Sequence, residues 1–329
     1  MASQFARYIK EIGRGSHGAK SLSCADAEAL GRAVFAGIVP PGVLGAILIA
    51  LRMKGESLDE LLGFHTALTS DIAQLYLPPH PHLTVVIPSY NGARRQPNLL
   101  PLLALLLREL GIRVLIHGPL EVAERITTAQ ILSSLKIQPA TSCAEAVSQL
   151  ATTQLAFLPT EYLSPPLANL LAWRSMLGVR NIAHSLAKLI DPMVGSSLRL
   201  VAITHPAYQQ LLRELLSLTK ATALLLRGAE GEAVASAKRL PAMDRFDAGT
   251  HSEFPSLATE GTDPGTANLP SLDAAATADF IQRALSSQPE LIPAPILQQA
   301  AGVLVAARAA DNLDAAHALL RRHLSRGNG

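Results

Sequence analysis

The chain is poor in cysteine, in aromatic side chains and in charge, and each shortage removes a class of explanation. Its 329 residues include two cysteines, Cys24 and Cys143, far apart and without CxxC spacing. That excludes a disulfide framework and a cysteine-built zinc site, and it fits a reduced cytosolic compartment. Aromatic residues make up 4% of the sequence, so the core must be aliphatic, and extensive stacking of nucleic-acid bases is disfavoured. Charged residues make up 16%, with a net charge of +2. So mild a balance does not by itself demand a nucleic-acid partner, although a clustered basic patch would escape such a sum. The longest uncharged, mostly apolar stretch, VPPGVLGAILIAL at 39–51, is too short for a bilayer and holds proline and glycine; it reads as a buried helix. The start, MASQFARYIKEIGRG, lacks the apolar core of a signal peptide, so a cytoplasmic protein with no membrane partner is expected. Also missing are GxSxG, HExxH, P-loop and paired-carboxylate signatures.

What remains is a chain that is 49% apolar, enough for one large domain or two unequal ones. Residues 1–77 read as helices. Ser23 with Asp26 resembles a cap for a helix to Phe35, Pro40-Pro41 opens the next, which ends near Gly55, and Ser57 with Glu60 caps a third through Leu68. The stiff PPHPH at 78–82 marks a boundary. After it the pattern alternates. LTVVI (83–87), RVLIHG (113–118), LAFLP (155–159), LRLVAIT (198–204) and TALLLRG (222–228) read as strands, with helical runs between them. Such alternation predicts a parallel or mostly parallel α/β sheet. Residues 241–278, rich in Asp, Thr, Gly, Pro and Ala, read as a loop or weakly ordered insertion, and 296–324 as a helical hairpin.

Several segments are candidate sites. GRGSHG (13–18) matches GxGxxG, but a helix rather than a strand precedes it, so it reads as a flexible basic loop carrying Arg14, His17 and Lys20 rather than a dinucleotide cradle. The histidines of HPH (80–82) have no further ligand at a persuasive spacing. His117 closes a strand, where ligand clefts of open sheets form; a structural histidine is the equal alternative. Arg94 and Arg95 precede a helix start, a favourable place for an anion, the alternative being a solvated pair. Arg174 and Arg180 either bind or pair with an internal carboxylate. Tyr90 and Trp173 are the two aromatics placed to stack on a base, or else belong to the core.

DAEALGRAVFAGIVPPGVLGAILIALRMKGESLDELLGF (26–64), LGVRNIAHSLAKLIDP (177–192) and AARAADNLDAAHALL in the tail resemble anthranilate phosphoribosyltransferases, of the TrpD, glycosyltransferase family 3 type. The resemblance implies a small N-terminal helical domain, 1–78, packed on a larger α/β domain, 79–329, with a mostly parallel central sheet flanked by helices, as in nucleoside phosphorylases. It also implies a homodimer through the helical domain, with part of 165–190 joining it. The active-site motifs depart from the family. Its GTGGD is Pro88-Ser89-Tyr90-Asn91-Gly92 here, its NIST is Asn98-Leu99-Leu100-Pro101, and its KHGNR is Ile116-His117-Gly118-Pro119-Leu120. GPLTNP becomes Ala187-Lys188-Leu189-Ile190-Asp191-Pro192, and the magnesium-binding DE pair falls on Ala233-Val234. Arg174, matching the arginine that contacts anthranilate, and His117-Gly118 survive.

Departure of pyrophosphate needs magnesium held by oxygen ligands and a loop of N–H groups that approach phosphate. A proline there removes a donor and adds bulk. IGRGSHGA, PSYNGARRQPN and LLRGAEGE are similar to the YbiB branch of the family, a second TrpD type, which resembles the enzyme in fold and is associated with nucleic-acid binding of little sequence preference. The resemblance thus implies a non-catalytic dimer, with no cofactor, that binds single-stranded DNA or RNA backbones through a basic groove at the former substrate cleft. Arg94, Arg95, Asn91, Arg174, Arg180, Lys188, Arg14 and Lys20 are the expected phosphate contacts, and Pro88, Ser89, Tyr90, Gly92, His117 and Gly118 the remains of the cleft. The alternatives are an active phosphoribosyl- or glycosyltransferase that uses phosphoribosyl pyrophosphate, Mg²⁺ and anthranilate or another acceptor, and a protein-interaction scaffold.

Overall fold

The computed structural model describes residues 2–195, 197–204, 207–254 and 269–326. The chain divides into two compact units, Met1–Ala73 with Thr160–Pro192, and Gln74–Pro159 with Met193–Gly329. The boundary expected at 78/79 lies a few residues after this division, and the helical unit takes in the whole of 160–192.

The helical unit starts where its caps put it. Ser23 Oγ accepts from Asp26 N at the head of the helix Cys24–Phe35, and Ser57 and Glu60 form both halves of a capping box on Leu58–Thr69. Pro41 begins the helix Pro41–Lys54, and Gly55, at φ 84°, ends it. The Glu60 carboxylate is fully buried and accepts from Leu22 N, Ser57 N and Lys54 Nζ. It thereby ties the segment after GRGSHG to two helices. That segment differs from its expectation as a flexible loop: Gly15–Gly18 is a single helical turn, with Gly15 at φ 76° supplying the reversal before it.

The second unit is built on a seven-stranded sheet. Its strands are β1 (Thr84–Pro88), β2 (Val114–Gly118), β3 (Leu155–Pro159), β4 (Ser197–Ile203), β5 (Ala223–Arg227), β6 (Met243–Asp247) and β7 (Thr250–Phe254). Their spatial order is β3-β2-β1-β4-β5-β6-β7. The first five are parallel, β6 pairs antiparallel with β5, and β7 pairs antiparallel with β6. Strands β1 to β4 are buried along their whole length, as near-continuous apolar runs require when helices cover both faces. The core is aliphatic, with Phe157, Phe246 and Phe280 its largest fully buried side chains in this unit.

The 241–278 stretch needs correction. Its first part is the β6–β7 hairpin, turned through Ala248 and Gly249 at φ 48° and 86°, and Asp273 caps a helix that begins at Ala274. Residues 255–268 lie outside the described residues. A two-residue turn with both φ values positive is the favoured hairpin connection, but its usual sequence signal is Asn-Gly or Asp-Gly, and Ala-Gly hides it.

Candidate functional site

In an open parallel sheet, ligands bind beyond the carboxyl ends of the strands where the strand order reverses. Here that point lies between β1 and β4, and β1 ends in the PSYNGARRQPN loop. The residues expected in the former cleft, Pro88, Ser89, Tyr90, Gly92, His117 and Gly118, are brought together by this end of the sheet. Ser89 N donates to His117 O at 2.9 Å. A Cβ on Gly118 would lie 1.9 Å from Ser89 O, so only glycine allows the two chain segments to approach so closely.

His117 is fully buried, and its Nδ1 lies 2.8 Å from the Tyr90 hydroxyl. Burial pushes its pKa down to about 3, so the ring is neutral at physiological pH and is no phosphate-binding cation. Tyr90, 4% exposed and packed edge-on to that ring, belongs to the core and is not a stacking surface. Trp173 is half-buried in the helical unit, beside Gly45.

The loop itself is folded around two carboxylates that the sequence reading did not single out. Glu232, 1% exposed, accepts from Ser89 Oγ at 2.6 Å and from the N–H groups of Asn91 and Gly92, each at 2.7 Å. Glu230 Oε1 accepts from Arg94 N, Arg95 N and Gln96 N at 3.2, 2.8 and 3.1 Å. The Arg125 guanidinium stands 3.6 Å from Glu230 Oε2 and donates to Gly92 O. Asn98 donates to Thr128 Oγ1, which is 2.8 Å from Ser89 Oγ; the hydroxyls therefore relay donation toward Glu232. Asn91, expected among the phosphate contacts, is 1% exposed and its side chain donates to Gly231 O. The helix expected to start beside Arg94 and Arg95 begins only at Leu100, whose N–H donates to Asn98 Oδ1; the N–H groups next to the arginines belong to the loop and are engaged by Glu230. The two arginine side chains are exposed, with no ion pair among the described residues.

The other expected contacts belong to the helical unit. Arg174 sits in the last turn of the helix Pro165–Leu177, which Gly178 ends in the left-handed conformation. Arg180 and Lys188 flank the short helix Ala183–Leu186. All three are half-buried, and all three act on His184. Burial first, then the positive charges of Arg180, Arg174 and Lys188, drive the His184 pKa down to about 3. Three of the expected residues therefore lie near one buried imidazole. His184 was legible in RNIAHSLAK only as a histidine between two cations. Elsewhere in this unit Lys20 is exposed, while Arg14 Nε turns back to Lys10 O at 2.6 Å.

The residues present do not fit a magnesium-pyrophosphate site. Ala233 and Val234, where the resemblance places the family's carboxylate pair, are buried, and the nearby Glu230 and Glu232 accept from backbone N–H groups of the loop. His80 and His82 form no group with a third ligand among the described residues. Asp244, His251 and Glu253 do cluster, but Asp244 already receives a bidentate Arg213 at 2.7 and 3.0 Å.

The helical segment 6–70 matches the profile of the glycosyl transferase family, helical bundle domain. Over 304 residues, 92% of this chain and 94% of the relative, the sequence is 39% identical to the uncharacterized protein YbiB of Escherichia coli strain K12. The chain belongs to the TrpD-like glycosyltransferase family 3. Its identity to the anthranilate phosphoribosyltransferase of Beijerinckia indica subsp. indica is 26%, over 65% of this chain and 60% of that enzyme. In fold, this family member is similar to the anthranilate phosphoribosyltransferase of Thermus thermophilus, with a TM-score of 0.73, 20% identity and coverage of 97% and 95% of the two chains. It is also similar to the enzyme of Saccharomyces cerevisiae in complex with PRPP and Mg, with a TM-score of 0.78, 13% identity and coverage of 100% and 95%. Among the described residues, no helix of this TrpD-like chain is long and apolar enough to cross a membrane.

Proposed function

We propose that this family member is catalytically silent and binds nucleic-acid backbones, single-stranded DNA or RNA with little sequence preference, through cationic side chains. The observation that carries the reading is the exposed Arg94–Arg95 pair on the loop after β1, whose side chains form no ion pair among the described residues. Phosphodiesters are attracted to such a pair without regard to sequence. Arg174, Arg180 and Lys188 of the helical unit, half-buried, supply a second cationic set, with Arg14 and Lys20 as outlying contacts.

Silence follows from chemistry. Phosphoribosyl transfer expels pyrophosphate, which must be neutralised as it leaves, and the residues here offer Ala233 and Val234 where carboxylates would hold the metal. The resemblance implies a homodimer through the helical unit, on which Ile38, Met53, Met176 and Val179 are exposed.

The test is fluorescence anisotropy of a labelled single-stranded oligonucleotide across a salt series, with pyrophosphate release from phosphoribosyl pyrophosphate and Mg²⁺ assayed alongside. Binding that falls steeply with salt and no pyrophosphate release are expected. Release of pyrophosphate in the presence of an aromatic acceptor, without oligonucleotide binding at low salt, refutes the proposal in favour of an active transferase.

A further inference from the structure

Consecutive backbone N–H groups that turn inward form a nest for anions. The loop after β1 has two such sets. Asn91 and Gly92 aim at one point, and Arg94, Arg95 and Gln96 at another. Both points hold an anion that comes from this chain itself.

The turn that delivers these anions is built for the task. A Cβ on Gly228 would lie 1.9 Å from Glu232 O, so the turn closes only on glycine. Glu230 takes φ 52° and Gly231 φ 89°. A non-glycine residue in the left-handed region is uncommon and costs free energy, so it persists where its surroundings hold it. The far end of the turn is held as well: the fully buried Gln299 accepts from Ala235 N at 2.6 Å and donates to Ala233 O at 2.9 Å. With both ends fixed, Glu230 and Glu232 reach N–H groups more than a hundred positions earlier in the chain.

We infer that Glu230 and Glu232 are resident anions that fill this nest and so shut it to phosphate and pyrophosphate. An entering phosphoryl group would find the donors engaged and two carboxylates beside it, one of them, Glu230, paired to Arg125. On this account the two glutamates determine specificity: they exclude small phosphorylated ligands from the backbone of the loop and leave only the outward arginine side chains for polyanions. The inference deepens the proposed function and rests on it for the identity of the polyanion.

The test opens the nest. Glu230→Gly removes the carboxylate and suits the left-handed backbone, so this variant is expected to fold, and Glu230→Ala is a second opening variant read in the same way. Glu230→Gln keeps an acceptor in place and is the filled control. The probe is inorganic pyrophosphate, followed by ³¹P NMR titration and by the melting temperature, with sodium chloride matched for ionic strength. E230G is expected to bind pyrophosphate at least tenfold more tightly than the wild-type protein and to melt higher in its presence, with E230Q close to wild type. Equal pyrophosphate binding by wild type, E230G and E230Q overturns the inference. The oligonucleotide assay on the same three proteins separates the two readings. Oligonucleotide binding intact with no gain for pyrophosphate removes the resident-anion inference alone. A gain for pyrophosphate without oligonucleotide binding by any of them removes the nucleic-acid reading and leaves the resident anions standing.

Discussion

Removing the Glu232 carboxylate tests how much of the loop's shape depends on it. In Glu232→Ala, the N–H groups of Asn91 and Gly92 lose their acceptor, while Ser89 Oγ can turn toward Thr128, 2.8 Å away. A buried donor left unpaired costs about 1–3 kcal/mol, so two such donors give roughly 2–6 kcal/mol, and the lower half of that range applies if a water enters the space. Glu232→Gln keeps an acceptor oxygen for both N–H groups and loses the charge, worth about 1 kcal/mol for each bond, while its amide NH2 replaces the acceptor of Ser89 Oγ, which again turns toward Thr128. The expected order is therefore Ala below Gln, with Gln about 2 kcal/mol below wild type. Urea unfolding of the three proteins, followed by far-ultraviolet circular dichroism, measures it. Variants that both fall within about 0.5 kcal/mol of wild type, as surface substitutions do, would refute the argument that Glu232 organises the loop. So would a Gln variant less stable than the Ala variant.

Other expectations are more direct. Replacing Arg94 and Arg95 with alanine should weaken oligonucleotide binding alike for all sequences and lower the slope of log K against log salt by about 1.4, two single-strand phosphate contacts at about 0.7 each; an unchanged slope removes the pair from the interface. His117 and His184 both have folded pKa values near 3, below the ordinary value of about 6.5. The unfolded chain therefore binds protons first, and stability that is whole above about pH 6.5 should decline as pH falls toward 3, by about 1.4 kcal/mol per pH unit for each histidine. A His117→Asn variant should show a shallower decline between pH 6 and 4 in denaturant unfolding, and an identical slope would contradict a buried neutral His117. Gly118→Ala places a carbon against Ser89 O, where 1.9 Å is available, and overpacking of this kind costs about 1–3 kcal/mol or more; an unchanged melting temperature would mean that the approach of β2 to the loop is not obligatory.

The elements legible in the sequence are those whose signals are local. LAFLP at 155–159 matches β3 residue for residue, and the Ser57–Glu60 capping box is present in both halves. The β6–β7 hairpin escaped because Ala248 takes a left-handed turn position that asparagine or aspartate normally advertises. The site was half legible. The arginine pair is exposed, as a basic loop should be, but the partners of its backbone, Glu230 and Glu232, lie 134–143 positions away. No local rule links such distant residues. Asn91 misled for the same reason: its inward hydrogen bond to Gly231 spans 140 positions.

The clamp on Gln299 also has a consequence for synthesis. Chains emerge from the ribosome N-terminus first, and contacts between distant residues form late. The Ser89–Gln96 loop is made early, its glutamates come more than a hundred residues later, and the side chain that fixes their turn follows 64 residues after Ala235. Until nearly the whole chain has emerged, the nascent loop exposes bare N–H donors and two arginines in a cell crowded with phosphates. A chain cut before Gln299 would lack the clamp on this turn and much of the buried helix that carries it.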